Sequence, residues 1–317
     1  MNHARREFIK DISVIGASLP FNGSFGLQFS EPQKKKFPIS FFIKPLDEFE
    51  LEFMSEALAK AGLDGYDITM RPKGRVEPER VEIDLPKVVE MGRKYKLSTE
   101  MMVTAITNTT DPHTEKILKT ASMLGIKHYR MGYYDFDLKE GIQKSLQKIR
   151  NDFEQLADLN KQYKIQAGYQ NHSGIKVGSP LWDVYQLLQD LPVTFISSQF
   201  DIRHAVTEGA DSWLLSLHLL SKNIGSLAIK DFTWQIINGK ATVVSVPLGE
   251  GIVDFEKYFK TLKELNIVAP ITMHIEYPFF SKQEESMTLL EKQKIVVRKL
   301  RKDVDFIRTN LSKFQLV

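Results

Sequence analysis

The chain has 317 residues, 42% hydrophobic and 26% charged, ordinary for a globular protein and long enough for one large core or two small ones. Its formal net charge is only +3 and its densest basic block is Lys34-Lys35-Lys36, so no nucleic-acid or membrane partner is expected. With no cysteine, disulfides, thiolate metal sites and cysteine nucleophiles are excluded.

At the N-terminus, Ala4-Arg5-Arg6-Glu7-Phe8-Ile9-Lys10 resembles a twin-arginine export signal. The apolar stretch that follows, Ile12 to Leu19, is shorter than the roughly 20 residues a membrane-spanning helix needs. Residues 1–30 are therefore expected to be an export signal and 31–317 the folded domain, periplasmic or otherwise exported.

From Phe37 onward, short apolar runs alternate with amphipathic stretches. The expected strands are Ile39–Ile43, Gly65–Met70, Ser98–Thr104, Lys127–Met131, Ile165–Gln170, Val193–Phe200, Ser226–Lys230 and Ile271–Ile275. Between and after them the pattern gives helices over 48–61, 85–95, 114–124, 139–163, 182–188, 212–222, 255–265 and 285–310. A loop rich in proline, glycine and charge fills Arg71–Glu82. Eight β-then-α units without a linker imply parallel strands joined by right-handed crossovers, closed as a single-domain (β/α)₈ TIM barrel of the α/β class. The doubly wound alternative needs a glycine-rich turn after its first strand, and Ile43-Lys44-Pro45-Leu46 has none.

In such barrels the site lies where strands end and βα loops begin. The polar residues at those ends are Lys44, Arg71, Arg130, Gln170-Asn171-His172, Asp201 with Arg203 and His204, Lys230-Asp231, and His274 with Glu276. Arg130 can clamp a hydroxylated or anionic ligand or hold a neighbouring carboxylate. Lys230 can contact substrate or form a surface ion pair with Asp231. Trp234 can stack on a sugar or cap the core, while Trp182 and Trp213, on helices, are expected inside.

Three stretches give a resemblance to the xylose isomerase-like barrels, a superfamily of sugar isomerases and epimerases. Gln170-Asn171-His172 resembles its Glu-Asn-His, and Asp201-Ile202-Arg203-His204 its Asp-x-x-His. Lys230-Asp231, Pro247-Leu248-Gly249-Glu250-Gly251 and Glu276 resemble its His-x-Lys-Asp, Pro-x-Gly-x-Gly and terminal Glu. The resemblance implies a divalent metal (Zn, Mn or Mg) held by Glu, Asp, His and Glu, but Gln170 and Ala228 stand at two of those positions. Glutamine is a poor ligand and no base, and alanine ligates nothing. Asp201, Glu276 and His274 form the remaining metal set, unless His274 only hydrogen-bonds a neighbour.

What this implies is proton transfer next to the carbonyl of a small carbohydrate. The expected catalytic residues are Glu276 as base with Lys230, His204 and His172, and the expected substrate contacts are Arg130, Gln170, Asn171, Arg203 and Trp234. The rivals are a carbohydrate-binding barrel without catalysis and a metal-assisted hydrolase or lyase of the same superfamily. The final helix is either a solvated face or the contact of a homo-oligomer.

Overall fold

The structure, a computed structural model, describes residues 37–316; the expected export signal lies outside them. In chain order the elements run β1 (Ile39–Phe42), α1 (Leu51–Ala61), β2 (Gly65–Thr69), α2 (Val81–Tyr95), β3 (Ser98–Val103), α3 (Thr114–Met123) and β4 (His128–Arg130). Next come α4 (Ile142–Tyr163), β5 (Gln166–Gln170), α5 (Trp182–Leu188), β6 (Ile196–Asp201), α6 (Ile202–Gly209), α7 (Trp213–Leu220) and β7 (Ile224–Ile229). The chain finishes with β8 (Asp231–Ile237), β9 (Lys240–Val246), α8 (Phe255–Glu264), β10 (Ile271–Met273) and α9 (Leu289–Lys313).

Eight strands close into a parallel barrel in the order β1-β10-β7-β6-β5-β4-β3-β2, as the alternation predicts. The register sets Asp201 beside Ala228, and Ala228 beside Thr272, so the ends of β6, β7 and β10 meet at one rim. At that rim Thr272 Oγ1 donates to Asp67 Oδ2 at 2.6 Å, reaching across β1 between β10 and β2.

Several boundaries differ from the sequence pattern, each for a local reason. Asp201 caps α6 by accepting the His204 N–H at 3.0 Å, which starts a helix ten residues before the one expected. Thr288 and Glu291 form a capping box, which starts α9 at Leu289 rather than at 285. Trp182 is 59% exposed, whereas Trp213 is buried as expected.

The largest addition is the antiparallel hairpin β8–β9, inserted between barrel strands β7 and β10. Its turn is Asn238-Gly239, both at positive φ (51° and 75°), the backbone a tight two-residue hairpin requires. Asp231 anchors the hairpin base and does not pair with Lys230. Its Oδ1 accepts the N–H of Phe232 (2.8 Å) and Val253 (3.2 Å), and its Oδ2 those of Gly249 (3.0 Å) and Gly251 (2.9 Å). A Cβ added at Gly251 would collide with the Asp231 carboxylate and the Phe232 carbonyl. Gly251→Ala should therefore cost about 1–3 kcal/mol, read as a lowered urea midpoint with an unchanged slope. A wild-type midpoint contradicts the anchoring role.

Candidate functional site

The end of β7 places Lys230 where no water-exposed lysine would sit: it is only 4% exposed. Its Nζ lies 2.8 Å from Glu276 Oε1, after β10, and 3.2 Å from Asp201 Oδ2, at the end of β6. One ammonium thus stands between two carboxylates from different strands. Burial by itself raises both carboxyl groups, but neighbouring cationic and imidazole groups outweigh it. Lys230 foremost, with the His204 backbone N–H donating to the carboxylate, brings Asp201 down to about 2. Glu276, facing His274 and Lys230, falls far below the carboxylate range.

Gln170 completes the Asp201 environment. Its Oε1 accepts Arg130 Nη1 at 2.9 Å and the Tyr133 hydroxyl at 2.6 Å. A guanidinium can only donate, so the amide orientation is fixed and Nε2 must donate to Asp201 Oδ2, at 2.7 Å. Asn171, an expected substrate contact, instead clamps the β6 backbone: its Oδ1 accepts Asp201 N–H (2.7 Å) and its Nδ2 donates to Asp201 O (3.0 Å).

Two histidines lie beside this cluster, their ring centroids 4.2 Å apart. His204 Nδ1 receives the Ser173 N–H at 3.0 Å and Arg203 Nη1 at 2.8 Å. Both partners only donate, so Nδ1 is a lone pair and the His204 proton sits on Nε2, 3.9 Å from Asp201 Oδ2. His172 is the reverse. Its Nδ1 is 2.9 Å from the Ser173 carbonyl, which only accepts, so Nδ1 carries the proton and Nε2 holds the lone pair of the neutral ring. Burial lowers the pKa of both rings, His204 well below the ordinary value, and favours these neutral forms.

Arg203 ties the two halves together, reaching Glu276 Oε2 at 3.4 Å while holding His204. Its guanidinium carbon lies 5.9 Å from the Phe232 ring centroid, and Phe232 packs edge-on against Trp234 at 5.8 Å. Trp234 itself is 47% exposed, on the hairpin, and so does not cap the core. His274 is buried, stacked on Phe42 at 4.6 Å, and neither ring nitrogen has a hydrogen-bond partner among the described residues. Its Nδ1 stands 3.8 Å from Glu276 Oε1, beyond hydrogen-bond reach. The structure thus brings Gln170, His172, Asp201, Arg203, His204, Lys230, His274 and Glu276 into one linked cluster, with Arg130 behind Gln170. Tyr133 was not legible as a site residue; its one signal is its place three residues after Arg130 at a strand end.

The residues present do not fit a divalent ion of the implied kind. Gln170 turns a donor toward Asp201, Ala228 offers no ligand atom, and the Lys230 ammonium bridges the two carboxylates that remain. Among the described residues no group of three or more His, Asp or Glu is arranged to hold a metal, so the Asp201–His274–Glu276 set does not assemble as one.

A closed α/β barrel with its polar cluster at the strand C-terminal ends defines the class: a TIM barrel with its candidate site at the mouth. The chain belongs to the xylose isomerase-like TIM barrel family, whose model matches residues 26–293. Solved structures similar to it include D-allulose 3-epimerase from Methylomonas sp., at 17% identity and TM-score 0.63, covering 87% of this chain and 99% of that one. D-psicose 3-epimerase from Clostridium cellulolyticum gives 12% identity and TM-score 0.62, over 83% and 94% of the two chains. The 3-keto-D-glucoside 4-epimerase of E. coli gives 13% and 0.63, over 86% and 100%. At such identities the likeness carries the fold alone. No curated protein matches the chain.

If Lys230 stands where an ion would otherwise bridge the carboxylates, rebuilding the ligands should restore metal binding. The combined Gln170→Glu, Ala228→His, Lys230→Ala protein should bind one Mn²⁺ per chain in equilibrium dialysis, at least 100-fold more tightly than the parent. Equal affinities would contradict this account of the cluster.

Proposed function

We propose that this protein is a sugar isomerase or epimerase that moves a proton next to the carbonyl of a small carbohydrate. The observation that carries the reading is the Lys230 ammonium, buried and fixed between Asp201 and Glu276 beside a neutral imidazole with a free lone pair. Family membership and the likeness in fold to sugar epimerases, one of them complexed with D-allulose, support the substrate class.

The chemistry needs a base for the C–H proton and a donor for the charge that builds on the carbonyl oxygen. Lys230 is the donor: its position is held by two carboxylates, so it requires no rearrangement as the enolate-like charge develops. The sequence nominates Glu276 as base, but the groups around it hold its carboxyl far below the usual range and make it a weak proton acceptor. His172 is the better base. Its Nε2 lone pair is set by the Ser173 carbonyl, and burial lowers its pKa, so the ring is neutral at neutral pH. His204, with its proton on Nε2, is placed to donate a hydrogen bond to a substrate hydroxyl. In an isomerisation His172 returns the proton to the neighbouring carbon on the same face while the adjoining hydroxyl proton passes to the carbonyl oxygen. In an epimerisation solvent protonates the same carbon from the other face and His172 releases its proton to solvent.

Solvent-deuterium incorporation into a panel of ketoses, followed by NMR, tests the reading. His172→Asn and Lys230→Met should each lower the exchange rate by about 10²–10⁴-fold. The acid limb of the wild-type rate should fall below pH 6.5, since His172 must be neutral and its pKa lies below that ordinary value. Unchanged exchange in His172→Asn overturns the base assignment. No exchange with any ketose by the wild type overturns the isomerase reading in favour of a barrel that only binds carbohydrate.

A further inference from the structure

Lys230 and Arg203 both have carboxylate partners. Two other arginines at the mouth have none. Arg130, at the end of β4, is 6% exposed, and its guanidinium donates only to neutral groups, Gln170 Oε1 and the Tyr133 hydroxyl. Its Nε is buried without a partner. Arg71, just past the end of β2, makes no side-chain hydrogen bond or ion pair among the described residues; only its backbone is engaged, its N–H donating to Val76 O at 3.0 Å and its carbonyl accepting the Gly74 N–H at 2.9 Å. The guanidinium carbons of both arginines lie 5.8 Å from the centroid of the same ring, Phe42.

Neither nearby carboxylate forms an ion pair with these two arginines. Asp47 is engaged by the Thr69 hydroxyl at 2.9 Å and by Arg75 Nε at 3.6 Å. Asp67 is buried and accepts from Thr272; burial raises its pKa against the pull of Arg130 and Arg71, and it makes no hydrogen bond or ion pair with either arginine. Burial, then the nearby Arg130 charge, lowers the pKa of Arg71, the mark of a cation short of anions. Two guanidinium groups near one ring, with unused N–H donors and no carboxylate ion-paired to either, gain from an anion that joins them. Arginine's planar fork suits the paired oxygens of a carboxylate or phosphate.

We propose that Arg71 and Arg130, backed by Phe42, form an anion subsite, and that the sugar handled at this mouth carries a carboxylate or phosphate group. The sugar half of this rests on the function proposed above; the subsite rests on the two arginines alone. The anion lies on the Gln170 side of the Lys230 cluster, since Arg130 donates to Gln170 and Gln170 to Asp201. The charged end of the sugar would thus be held apart from the carbon that exchanges its proton.

The test is calorimetric binding of galacturonate, galactose 6-phosphate and galactose, with citrate and inorganic phosphate as sugar-free probes. The wild type should bind one of the charged sugars at least tenfold more tightly than galactose, less so at high salt. Whichever of the two binds more tightly identifies carboxylate or phosphate. Arg71→Met should remove the preference, and Arg71→Lys should keep part of it, with circular dichroism verifying the native fold of both. Binding of citrate or phosphate that Arg71→Met abolishes supports the subsite even if no sugar binds, in which case only the sugar reading fails. Galactose binding as tightly as its charged analogues, a preference that survives in folded Arg71→Met, or no binding by any anion overturns the subsite.

Discussion

A buried ammonium held between two carboxylates is the constraint on which the mouth of this barrel depends. Asp201 is fully buried, and a carboxylate there is tolerable only because a cation and several hydrogen-bond donors meet it. Lys230 supplies the cation, Gln170 and the His204 N–H supply donors, and Asn171 fixes the backbone that carries the group. The substitutions that separate this chain from the metal-binding pattern of its family are therefore mutually consistent. A glutamate at position 170 would add a third carboxylate to a cluster whose two are already matched by Lys230 and Arg203. A neutral amide, oriented by Arg130, adds a donor in its place.

The same cluster separates two roles that a pair of carboxylates would otherwise share. Glu276 is stabilised as an anion by its neighbours, which weakens it as a base. In the proposed reaction proton transfer passes to an imidazole whose tautomer is set by a main-chain carbonyl, so the lone pair faces away from Ser173. Ser173 thus orients both rings: its carbonyl holds the proton of His172 on Nδ1, and its N–H holds the lone pair of His204 there. Opposite tautomers on adjacent rings give the mouth one acceptor and one donor. Asp231, next to the lysine, serves a separate purpose, tying the hairpin and the Pro247–Gly251 loop to the rim with a single carboxylate.

The eight barrel strands were legible because each is a short apolar run bounded by an amphipathic helix, and that alternation admits few topologies. The residues of the site were legible as a set because they end those strands. Their partners were not. Lys230 meets Asp201 and Glu276 from 29 and 46 residues away, and no local pattern reports such a pairing. That Gln170 donates toward Asp201 follows only from the arginine on its far side. The β8–β9 hairpin did carry a local signal, Asn238-Gly239 between β-branched runs, which the eightfold alternation obscured. The early start of α6 came from a residue already assigned to the site: Asp201 is both cap and cluster anion.

The central claim is that Lys230 occupies the bridge between Asp201 and Glu276 as the cation of this site. The most direct measurement is anomalous diffraction at the manganese edge from wild-type crystals grown in millimolar MnCl₂. The account predicts density for the Lys230 side chain between the two carboxylates and no anomalous peak there. An anomalous peak between Asp201 and Glu276, with Lys230 turned away, would contradict it.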